Sequence, residues 1–125
     1  MIRVLYIESD ADKRFSQSRV MKFLHRKLKS VLTTVNTGEA AIRILEALDN
    51  DFDVVLCDWN FVKGGITGGD VLEWIKVHRP RFATKFIFLS NDIAAKEVAN
   101  ENQVPYLAQP VDMDRLADVI KSVTG

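Results

Sequence analysis

Four short apolar runs in this 125-residue chain each end in residues that could do chemistry. Glu8, Ser9 and Asp10 follow Val4–Ile7; Asp58, Trp59 and Asn60 follow Val54–Cys57; Ser90 and Asn91 follow Phe86–Leu89; Gln109 and Pro110 follow Tyr106–Ala108. If these positions converge, carboxylates from distant parts of the chain share one edge, where they repel each other and stay ionised at low cost only beside a cation. A hard divalent ion such as Mg²⁺ takes oxygen ligands and suits such a set. The plainer alternative is that strand ends are simply where chains turn polar.

The elements that must position these residues follow from periodicity. The four runs are continuous rather than alternating, as expected of strands buried on both faces. Val31–Val35, rich in β-branched residues, predicts a fifth strand nearer an edge. Between them, Ala41, Ile44, Leu45 and Leu48 recur at helical spacing behind a Thr37 cap. Val20, Leu24, Leu28 and Val31 form a second stripe, Val71, Leu72 and Ile75 a third, and Leu116, Val119, Ile120 and Val123 another behind Asp112. The segment 94–102 is helical by composition but weakly apolar. Five strand–helix alternations imply an α/β fold with a parallel sheet covered on both faces, and ligands gather at the carboxyl ends of the strands of such sheets.

Composition narrows the function classes. Seventeen basic residues balance seventeen acidic ones, which argues against a general nucleic-acid or membrane binder. A single cysteine excludes an intramolecular disulfide and a Cys-rich zinc site. The stretch Ile2–Ile7 contains Arg3 and is too short for a signal peptide or a membrane span, so a cytoplasmic location is expected. The length predicts one domain, 1–125, with no output domain attached.

Six segments, in order, resemble the receiver domains of two-component response regulators: VLYIESDADKR (4–14), TGEAAIRIL (37–45), FDVVLCDWN (52–60), GGDVLEWI (68–75), FIFLS (86–90) and YLAQP (106–110). The resemblance implies a flavodoxin-like, doubly wound (βα)5 fold with strand order 2-1-3-4-5, and a stand-alone signalling module of a phosphorelay. It makes Asp58 the phosphoacceptor, a carboxylate nucleophile that forms an acyl phosphate. Glu8 takes the place of the first acidic residue that holds Mg²⁺, and Asn60 would lend its backbone carbonyl. Ser90 matches the hydroxyl that bonds the phosphoryl group and moves on activation. Tyr106 matches an aromatic switch residue, with a partly buried strand tyrosine as the alternative. Gln109-Pro110 stands where the family has Lys-Pro with a cis bond.

Three departures predict an impaired site. Ser9 occupies the position of the second acidic residue, normally a direct metal ligand, and Gln109 replaces the lysine that pairs with the phosphoryl group. A neutral amide bond is roughly half as strong as a charge-assisted one. The segment VKGGIT (62–67) replaces a shorter proline-containing turn. Losing one carboxylate and one lysine together leaves the net charge of the pocket unchanged, so attraction for Mg²⁺ is partly kept. Asp10 could supply the missing oxygen if turned inward; an exposed acid at a helix start is the alternative.

Seven Lys or Arg residues plus His25 lie between Lys13 and Lys29, with no acid before Glu39. This is a solvated helix face or a docking face, and the resemblance favours Arg19, Lys22 and Arg26 as contacts for a histidine kinase or phosphotransfer protein. Downstream targets and a homodimer remain open as partners; direct nucleic-acid and membrane binding are not expected. His25 and His78 are expected on helix surfaces and Cys57 in the core. The competing function is a pseudo-receiver that binds proteins without phosphorylation. A dehalogenase-like phosphatase, which needs an acid two residues after its nucleophile, is disfavoured by Asn60, so no enzyme activity is expected.

Overall fold

The computed structural model describes residues 1–8, 14–47, 51–61 and 65–125, with the backbone alone for 14–19 and 21. The elements are β1 (Ile2–Ile7), α1 (Arg14–Leu28), β2 (Ser30–Val35), α2 (Gly38–Glu46), β3 (Val54–Cys57), α3 (Gly68–His78), α4 (Pro80–Ala83), β4 (Phe86–Leu89), α5 (Ile93–Asn102), β5 (Tyr106–Leu107) and α6 (Met113–Thr124). The sheet is five-stranded and parallel, in the order β2-β1-β3-β4-β5. This is the flavodoxin-like arrangement expected from the sequence.

Three of the four apolar runs became strands with both faces covered, whereas the fourth is an edge strand of two residues, Tyr106–Leu107, with Tyr106 half-buried and Ala108 exposed beyond it. In β1, β3 and β4 alternate side chains divide between two cores. Val4, Tyr6, Val54, Leu56, Ile87 and Leu89 meet Val20 and Leu24 of α1 and Leu116 and Ile120 of α6. Leu5, Ile7, Val55, Cys57, Phe86 and Phe88 meet α2, α3, α4 and α5 through Ala41, Leu45, Val71, Ile75, Phe82 and Ala95. Full burial of each large apolar side chain contributes about 1.5–3 kcal/mol. Phe86 and Phe88 add an edge-on ring contact, with centroids 4.8 Å apart.

Thr37 caps α2 by accepting from Ala40 N, and Asp112 caps α6 by accepting from Arg115 N. Two details, at Val31 and at α4, differ from expectation, and two more concern the ends of α2 and α3. Val31 does not extend the stripe of α1: Lys29 adopts a left-handed φ of 51°, the helix ends at Leu28, and Val31 is an exposed residue of β2. Helix α3 begins at Gly68, where Thr67 and Asp70 form a reciprocal capping box. Helix α2 stops at Glu46, and Leu48 lies outside the described residues. The short helix α4, opened by Pro80 at its first turn, is a sixth helix among the described residues.

Candidate functional site

Backbone hydrogen bonds carry the ladder one residue past three strands and so fix the residues that follow them. Glu8 N donates to Val35 O (2.9 Å), Asp58 N to Ile7 O (3.0 Å) and Ser90 N to Leu107 O (3.1 Å). Ile7 is in register with Cys57, so Glu8 and Asp58 emerge side by side at the carboxyl edge of the two central strands. Both carboxylates are buried, Glu8 at 1% and Asp58 at 6% exposure, and Ser90 is buried beside them in the sheet order. Sequence-distant residues are thus brought to one edge, with their backbones held by the sheet.

Neighbouring groups engage the carboxylates. Trp59 N donates to Asp58 Oδ1 at 2.7 Å, a short bond suited to an ionised acceptor. The Tyr6 hydroxyl donates to Glu8 Oε2, also at 2.7 Å. Burial, and then the negative charge of Glu8, push the Tyr6 phenol far above its ordinary range, so it remains a donor. Burial, followed by the Asp58 charge, likewise pushes up the Cys57 thiol, which donates to Asp58 O at 3.1 Å. Gly68 allows the start of α3 to approach: its N donates to Trp59 O at 2.8 Å, and a Cβ there would overlap the backbone oxygen of Asp58. The Trp59 ring lies across Gly69, where a Cβ would come within 2.6 Å of its edge, and reaches Phe88 with a centroid distance of 5.9 Å.

The second half of the edge is tied to itself. Ser90 Oγ accepts from Asp92 N at 3.1 Å, and Asp92 spans two loops, capping Ala94 N with one oxygen and accepting from Asn60 Nδ2 with the other (2.9 Å). Gln109 donates from its backbone to Asn91 Oδ1 and from its side-chain amide to Leu89 O (3.2 Å). The Gln109-Pro110 bond is cis. Tyr106 is half-buried in β5.

Ser9 and Asp10 lie outside the described residues, as do Val62–Gly64 of the glycine-rich segment, and Arg19 is described in its backbone alone. Lys22 and Arg26 are exposed on α1. His25 and His78 are also exposed, His78 against the Trp74 ring at 4.9 Å. Sequence reasoning passed over Tyr6 and Asp92, and named Asn91 only by its place after a strand. For Tyr6 a signal existed: residues two apart in a strand share a face, so Tyr6 had to lie beneath Glu8. No comparable signal marks Asp92, whose role depends on two loops meeting.

As a metal site, the donors are of the right chemistry: Glu8 and Asp58 offer carboxylate oxygens and Asn60 a backbone carbonyl, the ligand types Mg²⁺ takes. Among the described residues no group of three or more acidic, histidine or cysteine side chains forms. The described pocket therefore fits a hard cation in kind, with few direct ligands.

The topology is the fold of response regulator receiver domains, and many solved structures share it. A receiver domain protein from Clostridium thermocellum superimposes with a TM-score of 0.80 at 22% identity, covering 99% of this chain and 94% of that one. The receiver domain of a sensor histidine kinase from Pseudomonas aeruginosa, solved with a magnesium ion coordinated in its active-site cleft, gives a TM-score of 0.79 at 19% identity, covering 99% and 98%. A two-component response regulator from Cytophaga hutchinsonii gives 0.75 at 23%, covering 98% and 96%. No family model and no curated protein matches the sequence. No helix among the described residues is long and apolar enough to cross a membrane.

Proposed function

We propose that the chain is a receiver-type signalling module of a two-component phosphorelay, working in the cytoplasm, in which Asp58 accepts a phosphoryl group at reduced efficiency. One observation carries the reading: a buried aspartate at the end of a central strand, beside the buried Glu8 and with the Ser90 hydroxyl on the next strand. A carboxylate oxygen of Asp58 attacks phosphorus as the bond from phosphorus to the donor, a phosphohistidine nitrogen, breaks. The product is an acyl phosphate, and the electron pair of the broken bond leaves with the histidine. In this reading the Ser90 hydroxyl turns from Asp92 N and donates to a phosphoryl oxygen. Mg²⁺, when bound by Glu8, Asp58 and the Asn60 carbonyl, supplies the positive charge that offsets the carboxylates and the phosphoryl oxygens. Ser9 and Gln109 supply neutral groups where charged ones would serve better, and this lowers efficiency. No turnover of a small-molecule substrate is assigned.

A second reading, a pseudo-receiver that binds proteins without phosphorylation, is favoured by the Gln109 amide, which donates to Leu89 O. Acetyl phosphate and Mg²⁺, followed by intact-mass spectrometry, separate the two. A phosphoryl adduct abolished by Asp58→Asn supports the phosphoacceptor. No adduct in the wild type, even with Ser9→Asp and Gln109→Lys combined, leaves the binding module.

A further inference from the structure

Among buried groups that the proposed transfer leaves unused, Tyr6 stands out for its position. Strand alternation places Tyr6, Glu8, Leu56 and Asp58 on one face of the sheet, and Tyr6 is paired in register with Leu56. Its ring is part of the core against α1 and α6, with 2% exposure, so the hydroxyl has little freedom. That hydroxyl lies 2.7 Å from Glu8 Oε2, and the Asp58 charge also acts on it. A phenol buried beneath two neighbouring carboxylates must donate to one of them, because an unpartnered hydroxyl there would lose its hydration without replacement.

We propose that Tyr6 is a positioning residue for cation binding, acting through Glu8. The two oxygens of a carboxylate diverge. Holding Oε2 against the buried phenol therefore restricts the rotamer of Glu8 and with it the direction of Oε1. With Ser9 unable to act as an anionic ligand, Glu8 and Asp58 carry the acidic part of the site among the described residues, and the orientation of Glu8 matters correspondingly more. A hydrogen bond to the far oxygen of a ligating carboxylate is the kind of supporting contact whose loss typically weakens metal affinity 10- to 100-fold. This inference rests on the metal-binding part of the reading above, and assigns to it a residue that touches neither metal nor phosphoryl group.

The test is a Mg²⁺ titration followed by Trp59 fluorescence in a Trp74→Phe background, with circular dichroism as a check on folding. Tyr6→Phe removes one oxygen and keeps the ring. Its Mg²⁺ dissociation constant is expected to rise about tenfold. In a Glu8→Gln background the same change is expected to add less than about twofold, because the residue through which Tyr6 acts is gone. Should Tyr6→Phe fail to fold, Glu8→Asp keeps the charge but withdraws the carboxylate from the phenol, and it too is expected to weaken binding. An unchanged or tighter dissociation constant in Tyr6→Phe, or in Glu8→Asp where that variant must stand in, overturns the inference while leaving the metal site intact, as does an equal loss in the Glu8→Gln background. A wild-type protein that does not respond to Mg²⁺ overturns the metal site and this inference together.

Discussion

At the scale of single residues, the site depends on close approach and on protons held in place. Gly68 brings α3 against the backbone oxygen of Asp58, and an added methyl has no space. Gly68→Ala is expected to cost about 1–3 kcal/mol by displacing either the helix or Asp58. Urea unfolding measures it, and a midpoint equal to that of the wild type would contradict the geometry. Cys57 and Tyr6 keep their protons in the fold, chiefly through burial, beyond the pH at which an unfolded chain releases them. Above the ordinary cysteine range, near about 8.5, the unfolded state therefore binds fewer protons than the folded one, and stability falls as pH rises. The expected slope is about 1.4 kcal/mol per pH unit for each group, with tyrosine joining near about pH 10. Cys57→Ala should delay the onset to the tyrosine range; unfolding midpoints measured from neutral to alkaline pH would show whether it does.

At the scale of elements, the apolar runs made the strands legible because burial on both faces leaves no alternation to misread. Helix α5 was faint because its buried face consists of Ala95 and Ala99, small residues that let it sit close to the sheet but give little apolar signal. Val31 fitted two readings, the spacing of α1 and the start of a strand, and Lys29 decides for the strand by turning the chain first. The carboxylate edge could be read from the residues following each strand. The cross-loop contacts of Asp92 could not, since they require knowing which loops meet. Those contacts divide the roles of Asp92, one oxygen capping α5 and the other holding Asn60. Loss of the cap should dominate: Asp92→Ala is expected to cost about 1 kcal/mol and Asn60→Ala less than about 0.5. Equal losses in denaturation would instead assign the energy to the bond between loops.

At the scale of the whole molecule, charge is balanced in sum but not in placement. Exposed Lys22, Arg26, Lys27 and Lys29 gather on and just after α1, next to the edge strand β2. Reversing Lys22 and Arg26 to Glu should slow capture of an acidic phosphotransfer partner and reduce the salt dependence of association, with an unchanged fold. Equal association rates for variant and wild type, measured by surface plasmon resonance at low salt, would remove α1 from the docking surface. The sheet also distributes cohesion unevenly. Strand β1 is paired along its whole length with β2 and along four residues with β3, whereas β5 is in register with β4 at two pairs, Phe88–Tyr106 and Leu89–Leu107. Under hydrogen–deuterium exchange, amides of β1 should open only with global unfolding, and those of β5 at lower free energy. The half of the molecule that carries Glu8 and Asp58 would then persist as a cooperative unit while the half carrying Gln109 opens and recloses around it.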